Sequence, residues 1–229
     1  LRASIDNDQD DVQRQITLIK QIEDIKGNDA AIAETKKLIA SNAKHGELRT
    51  ALSDLYLLTN DKASSTEVLL KAINEFPEDA VGINSRISLA RIYISDENYT
   101  KAQEVIEEAI SVSPNDPKAN MLRARLALNE QDMETATISL RIVTKEDPEN
   151  IDAYLLLANI YQAENNDEQL NSTLNTAFEN NKRNADGLLK LVQVVLSRDI
   201  NLAEKAIDQY NALKESDYKG LSLKAQILN

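Results

Sequence analysis

The sequence repeats itself at a spacing of thirty-four residues. Ala102, Ile106, Ala109 and Pro114 return as Ala136, Leu140, Val143 and Pro148, and upstream of them Ala90 returns as Ala124. A fixed period of this length marks an array of stacked supersecondary units, each burying its apolar face only against its neighbours. The period is helical. Ala102, Ile106 and Ala109 stand four and three apart, so they share one face of an α-helix. The two alanines allow a second helix to approach closely, and the larger residue between them fills the gap. Proline then ends the helix, since it lacks an N–H and its ring clashes with the preceding turn.

This set of residues resembles the tetratricopeptide repeat, a helix–turn–helix unit of thirty-four residues. The stretch from Ile83 carries Leu89, Ala90, Tyr93, Ala102, Ile106 and Ala109 at that family's bulky, small and aromatic positions, followed by Pro114. The stretch from Ile151 carries Tyr154, Leu157, Ala158, Tyr161, Leu174 and Ala177, with Leu170 in place of the first alanine of the second helix. The resemblance implies an all-α fold, a right-handed α–α superhelix of about six helix–turn–helix repeats. Their expected bounds are 12–45, 46–79, 83–116, 117–150, 151–184 and 185–218.

Departures from the period carry their own expectations. Residues 1–11 form an acidic leader, in which Asp10 or Asp11 is expected to cap the first helix. Its alternating aspartates do not make a calcium loop, because counting from Asp6 places Asp11 and Thr17 where glycine and glutamate are needed. Gly27 and Asn28 punctuate the first repeat. Ala80 to Gly82 are three extra residues, expected in the connection between repeats. Asn120 and Arg123 replace a bulky residue and a leucine, and Arg123 is expected to lay its methylenes on the core with its guanidinium in water or against a carboxylate. The sixth repeat fits only with one residue deleted, which places Ala203, Ile207 and Tyr210 inward. At 219–229, Leu221, Leu223, Ile227 and Leu228 read either as a capping helix or as the first helix of a severed repeat; their apolar character favours a fragment of a longer array. The turns within repeats have Asn60, Glu97, Gln131 and Asn165 where the family has glycine. Asparagine tolerates a left-handed backbone, whereas Glu97 and Gln131 imply strain or a different turn.

Composition removes several classes of function. The net charge of −12, from 38 acidic against 26 basic residues, repels nucleic acid and anionic membranes. Without cysteine there is neither a disulfide framework nor a thiolate metal site. The sole histidine, His45, lies in a Lys-His-Gly connection and reads as an exposed loop residue. No Gly-Lys-Ser/Thr phosphate loop and no Gly-x-Gly-x-x-Gly motif occurs, and no apolar run approaches the roughly 20 residues of a membrane span. The expectation is a protein without enzymatic activity, cofactor or metal. The chain opens on Leu1 rather than methionine, so compartment stays open between cytoplasm and export. The Leu-Arg-Ala-Arg-Leu-Ala-Leu run at 122–128 has a weaker resemblance to bacterial repeat proteins of exopolysaccharide export and surface sorting, which implies a periplasmic or lipid-anchored accessory subunit.

In the family that the repeats resemble, ligands lie on a concave surface lined by the first helices. The residues placed there are Ile87, Arg91 and Ile94, then Met121, Arg125 and Leu128, then Leu155 and Asn159. Aliphatic side chains around two arginines suit an amphipathic or extended segment with apolar anchors and an acidic group; the alternative is that the aliphatic residues pack between repeats and the arginines pair with nearby acids. The family's clamp for a chaperone's C-terminal carboxylate is not expected, because Leu155 stands where its lysine belongs. A second role is self-association through the terminal repeats.

Overall fold

The computed structural model describes residues 11–214 and 217–227, with side-chain burial given as far as Ala225. Of the acidic leader only Asp11 falls among these. Leu228 and the side chain of Ile227 lie outside them as well.

Among the described residues there are thirteen α-helices and no strand. They are α1 (Val12–Lys26), α2 (Asn28–Ser41), α3 (Glu47–Leu58), α4 (Lys62–Glu75), α5 (Ala80–Ser95), α6 (Tyr99–Val112), α7 (Pro117–Asn129), α8 (Met133–Glu146), α9 (Ile151–Ala163), α10 (Asp167–Asn181), α11 (Ala185–Val195), α12 (Ile200–Leu213) and α13 (Tyr218–Ile227). They fall into two compact units, Leu1–Pro114 and Asn115–Asn229. In both, the helices pack as consecutive antiparallel pairs joined by short turns, which is the fold the thirty-four-residue period predicts.

The small-residue positions are the points of closest approach. In the N-terminal unit Ala90, Ala102, Ile106 and Ala109 are fully enclosed; in the C-terminal unit so are Ala124, Ala136, Leu140 and Val143. Where the second repeat places serines instead, Ser53 and Ser65 hydrogen-bond to each other at 2.8 Å between α3 and α4, so neither buried hydroxyl lacks a partner. The C-terminal unit has a continuous core running from Ala124 to Tyr210. Tyr154 and Tyr161 are buried in it, whereas Tyr93 in the other unit is only partly covered.

The turns inside the repeats share one geometry at four places. Asn60, Glu97, Gln131 and Asn165 all have positive φ, between 54° and 63°. The next residue sends its N–H back to the last turn of the first helix, as Asp61 does to Tyr56 O and Asn98 to Tyr93 O, both at 2.8 Å. That same residue caps the second helix through its side chain: Asp61, Asn98, Asp132 and Asn166 accept from the N–H three residues on. Glu97 and Gln131 therefore do not build a different turn. They adopt the left-handed conformation that asparagine adopts in the other two. The sixth repeat does differ, because its deleted residue is the left-handed one. Asp199 caps α12 directly, and no positive φ precedes it.

Ala80 to Gly82 do not form a connection. They lengthen α5 to 16 residues. The bend at 76–79 permits this because Gly82 lies against the Phe76 carbonyl, where a Cβ would come within 1.8 Å of the oxygen. Arg86, one turn further on, donates to Pro77 O at 2.8 Å.

At the other end, α13 packs on α12. Gly220 is buried against Tyr210 and Asn211, Leu223 packs against the core, and Leu221 is exposed. Tyr210 donates to Asp217 Oδ2 at 2.5 Å, and the Lys219 N–H donates to Oδ1 at 3.0 Å. The two bonds hold the Asp217 carboxyl below its ordinary value, and the hydrogen bond to Asp217, with desolvation after it, pushes the Tyr210 phenol up to about 12.

Candidate functional site

The first helices carry the candidate groove residues, and each unit holds its own portion. In the N-terminal unit, Arg91 on α5 is exposed, Ile94 is partly covered and Ile87 is buried, with 2% of its surface accessible. Ile87 is thus a core residue and not a groove contact. Its helix buries residues on more than one side, including Ser85, Ile87 and Leu89, so the groove stripe read from spacing passes through packed positions. Arg91 does not stand alone. Its charge reaches Asp54 on α3, at the equivalent position one repeat earlier, and lowers that carboxyl, but desolvation raises it more. The net effect is a carboxyl above its ordinary value on this face of α3.

The same face continues between α1 and α3 as a cavity of about 260 Å³. Ile16, Ile19, Ala51 and Leu55 form its apolar wall, and Leu58, 62% exposed, stands at the rim. Around the opening are Lys20, Glu23, Glu47 and Asp54. The repeat positions on α1 and α3 could have placed these residues in the sequence. Which of them enclose a cavity follows only from how closely the two helices approach.

In the C-terminal unit, Arg125 on α7 and Asn159 on α9 are exposed, while Met121, Leu128 and Leu155 are partly covered and pack at the edge of the core. The aliphatic members therefore contribute to packing as well as to the surface. Arg123 is partly covered and its charge lowers the Asp132 carboxyl, after the larger effect of the Thr135 hydrogen bonds.

A larger cavity, about 490 Å³, lies on the other side of α3, where Lys36, Tyr56, Val68 and Lys71 line it. Lys36 sits 5.4 Å from the centre of the Tyr56 ring, Lys71 pairs with Glu67 at 2.6 Å, and Arg49 pairs with Glu75. His45 is partly buried rather than exposed, with Nδ1 3.3 Å from Gln15 Oε1. Among the described residues no group of three or more carboxylates and histidines could hold a metal ion, and no helix is long and apolar enough to cross a membrane.

Paired helices, a repeated left-handed turn and fully buried small residues at thirty-four-residue spacing define a helical-repeat fold of the tetratricopeptide type. A family described as the tetratricopeptide repeat protein 21 ARM repeat matches residues 79–174. No curated protein sequence matches. Among solved structures, PilF of Pseudomonas aeruginosa superposes with a TM-score of 0.64 at 13% identity, covering 93% of this chain and 96% of PilF. The chain matches Cut9–Hcn1, a hetero-tetramer of the APC/C, with a TM-score of 0.62 at 15% identity; all of this chain and 45% of that one are covered. YrrB, a TPR protein with an unusual peptide-binding site, gives a TM-score of 0.53 at 17% identity, over 82% of this chain and 96% of its own. At these identities the likeness shows the fold.

Proposed function

We propose that the chain is a non-enzymatic scaffold that binds a peptide or helical segment of a protein partner along the exposed face of its first helices. The observation that carries this reading is the α1–α3 cavity. It opens on the face expected to bind ligands, and it combines an apolar wall with an exposed Leu58 and unmatched charge. In the N-terminal unit Arg91 on α5 is an exposed polar residue, and in the C-terminal unit Arg125 on α7 and Asn159 on α9 are too. The guanidinium groups of Arg91 and Arg125 favour a ligand carboxylate, which they can hold by planar charge-assisted contacts. The peptide-binding character of YrrB supports the same reading.

The test is to pan a display library of random peptides against the purified chain and to measure the selected peptides on variants. Replacing both Arg91 and Arg125 with glutamate should abolish binding and leave the melting temperature nearly unchanged. Lys37→Glu, on the exposed face of α2, should leave both unchanged. Lys36 is unsuitable as that control, because it lines the larger cavity. Peptides bound equally by wild type and the double-arginine variant would remove these residues from the site. A mass that rises with concentration in light scattering would instead assign the exposed Tyr218 and Leu221 to self-association.

A further inference from the structure

The opening of the α1–α3 cavity is charged unevenly. Glu23, Glu47 and Asp54 face a single cation, Lys20. None of Lys20, Glu23 and Glu47 has an ion pair among the described residues, and Asp54 has only the influence of Arg91 from the next repeat. Other carboxylates on first helices have a cation to face, as Asp152 has Lys190 at 2.7 Å. Three carboxylates against one ammonium leave an excess of negative charge beside an apolar wall.

Given the scaffold reading above, we infer that the α1–α3 cavity takes a basic side chain of the bound segment together with an apolar side chain next to it. The apolar residue fits the wall of Ile16, Ile19 and Leu55 and covers Leu58, removing exposed hydrocarbon from water. The basic group lies at the opening, within reach of Glu23 and Asp54. A cation there supplies what Arg91 alone does not, since desolvation outweighs Arg91 in setting the Asp54 carboxyl. Volume agrees with this occupancy. About 260 Å³ admits two side chains but not a folded domain. The larger cavity beyond α3 offers no such complementarity, because Arg49 and Lys71 are already paired within it.

The ligand class therefore has two charged features, with a basic–apolar pair for α1 and α3 and an acidic group for the exposed arginine of α5. The experiment pans a cysteine-free library of twelve-residue random peptides on the full chain, then synthesises the most enriched sequence. Enriched peptides should carry Lys or Arg beside a bulky apolar residue. Replacing that basic residue with norleucine should weaken binding to wild type at least about tenfold, the factor that one charged hydrogen bond carries. The same replacement should change binding far less in a Glu23→Gln/Asp54→Asn variant, whose substitutions keep shape and remove charge. A norleucine effect below tenfold on wild type, or one as large in the variant, overturns the inference while leaving the scaffold reading intact, provided the arginine double variant still loses binding. A library that yields no bound peptide at all overturns both.

Discussion

Replacing Glu97 or Gln131 with glycine should stabilise the protein. Both residues hold φ at 57° and 63°, in the left-handed region where a Cβ crowds the following carbonyl. That conformation costs an ordinary L-residue roughly 1–2 kcal/mol. Glycine removes the crowding but loses more freedom on folding, which costs roughly 0.4–1 kcal/mol. Both side chains are exposed, so their removal adds little. The balance is a gain of about 0.5–1 kcal/mol at each position. Asn60 and Asn165 provide the internal comparison, having the same turn and the same exposure with a residue that tolerates the conformation. Their glycine variants should change stability by less than about half as much.

The assay is thermal unfolding of all four single variants, with amide exchange to localise the change. A gain of this size raises the melting temperature of a chain of this length by about 1–4 °C. Protection should increase in the helices flanking the mutated turn, since repeats couple mainly to their neighbours. Gly27→Ala is the converse. At φ 83°, with nothing within 4 Å of a built Cβ, its penalty is conformational rather than steric, roughly 1–3 kcal/mol. If glycine at 97 and 131 lowers stability by the roughly 1 kcal/mol expected inside a helix, or does no better than at 60 and 165, the reasoning fails.

Two further perturbations test other parts of the fold. Ala136→Leu inserts three carbons at a fully buried contact between α7 and α8 and should cost about 1–3 kcal/mol; amide exchange that rises equally in every helix would contradict local coupling. Asp217→Asn should speed exchange in α13 and bring the titration of Tyr210 down from about 12 toward 10.0, as followed by NMR of labelled tyrosine. The signs follow from the two shifts. The lowered Asp217 carboxyl stabilises above its ordinary 3.8 and loses that effect as pH falls through its folded value, whereas the raised Tyr210 phenol stabilises below 10.0 and loses it as pH climbs toward about 12. An unchanged Tyr210 titration in the variant would refute the pairing.

The helix pairs were legible because small residues at close helix contacts leave a periodic mark. Ala102 and Ala136 need no partner beyond the opposing helix, and their full burial follows from spacing alone. Turn geometry was only half legible. Glu97 and Gln131 have poor left-handed propensity, but the hydrogen bonds from Asn98 and Asp132 and the caps those residues provide override it. Of the candidate site, exposure at Arg91, Arg125 and Asn159 follows from their register on the first helices. Ile87 does not, because burial depends on what the lengthened α5 packs against. The α1–α3 cavity was not legible either: no residue type announces the distance between two helices.

The least legible feature is a buried polar residue at the fourth position of each of the first four repeats. Gln15, Arg49, Arg86 and Asn120 occupy it from the first repeat to the fourth, and all are buried where the repeat ordinarily has a bulky side chain. A polar group in that position would destabilise the fold unless its hydrogen bonds were made inside the protein. For Arg49 and Arg86 they are made with carbonyls of the preceding connection and with an acid of the second helix. Arg49 donates to Ala43 O at 3.1 Å and pairs with Glu75, and Arg86 donates to Pro77 O at 2.8 Å and to Glu108 at 3.3 Å. Asn120 donates to Asp116 O at 2.9 Å. Tyr154, the aromatic successor in the fifth repeat, donates to Thr144 O at 3.4 Å and accepts from Asn180 at 2.8 Å. Arg49, Arg86 and Tyr154 thus each tie a carbonyl at or near the preceding connection to the second helix of their own repeat. Such a tie fixes where a first helix begins relative to the turn before it, which small apolar contacts, being tolerant of sliding, do not. The arginine stems also supply the bulk that the position requires, with Arg49 stacked 5.2 Å from the centre of the Phe76 ring. Arg49 and Arg86, which read singly look like departures from the repeat, thus brace the start of a first helix against both the connection before it and the helix after it.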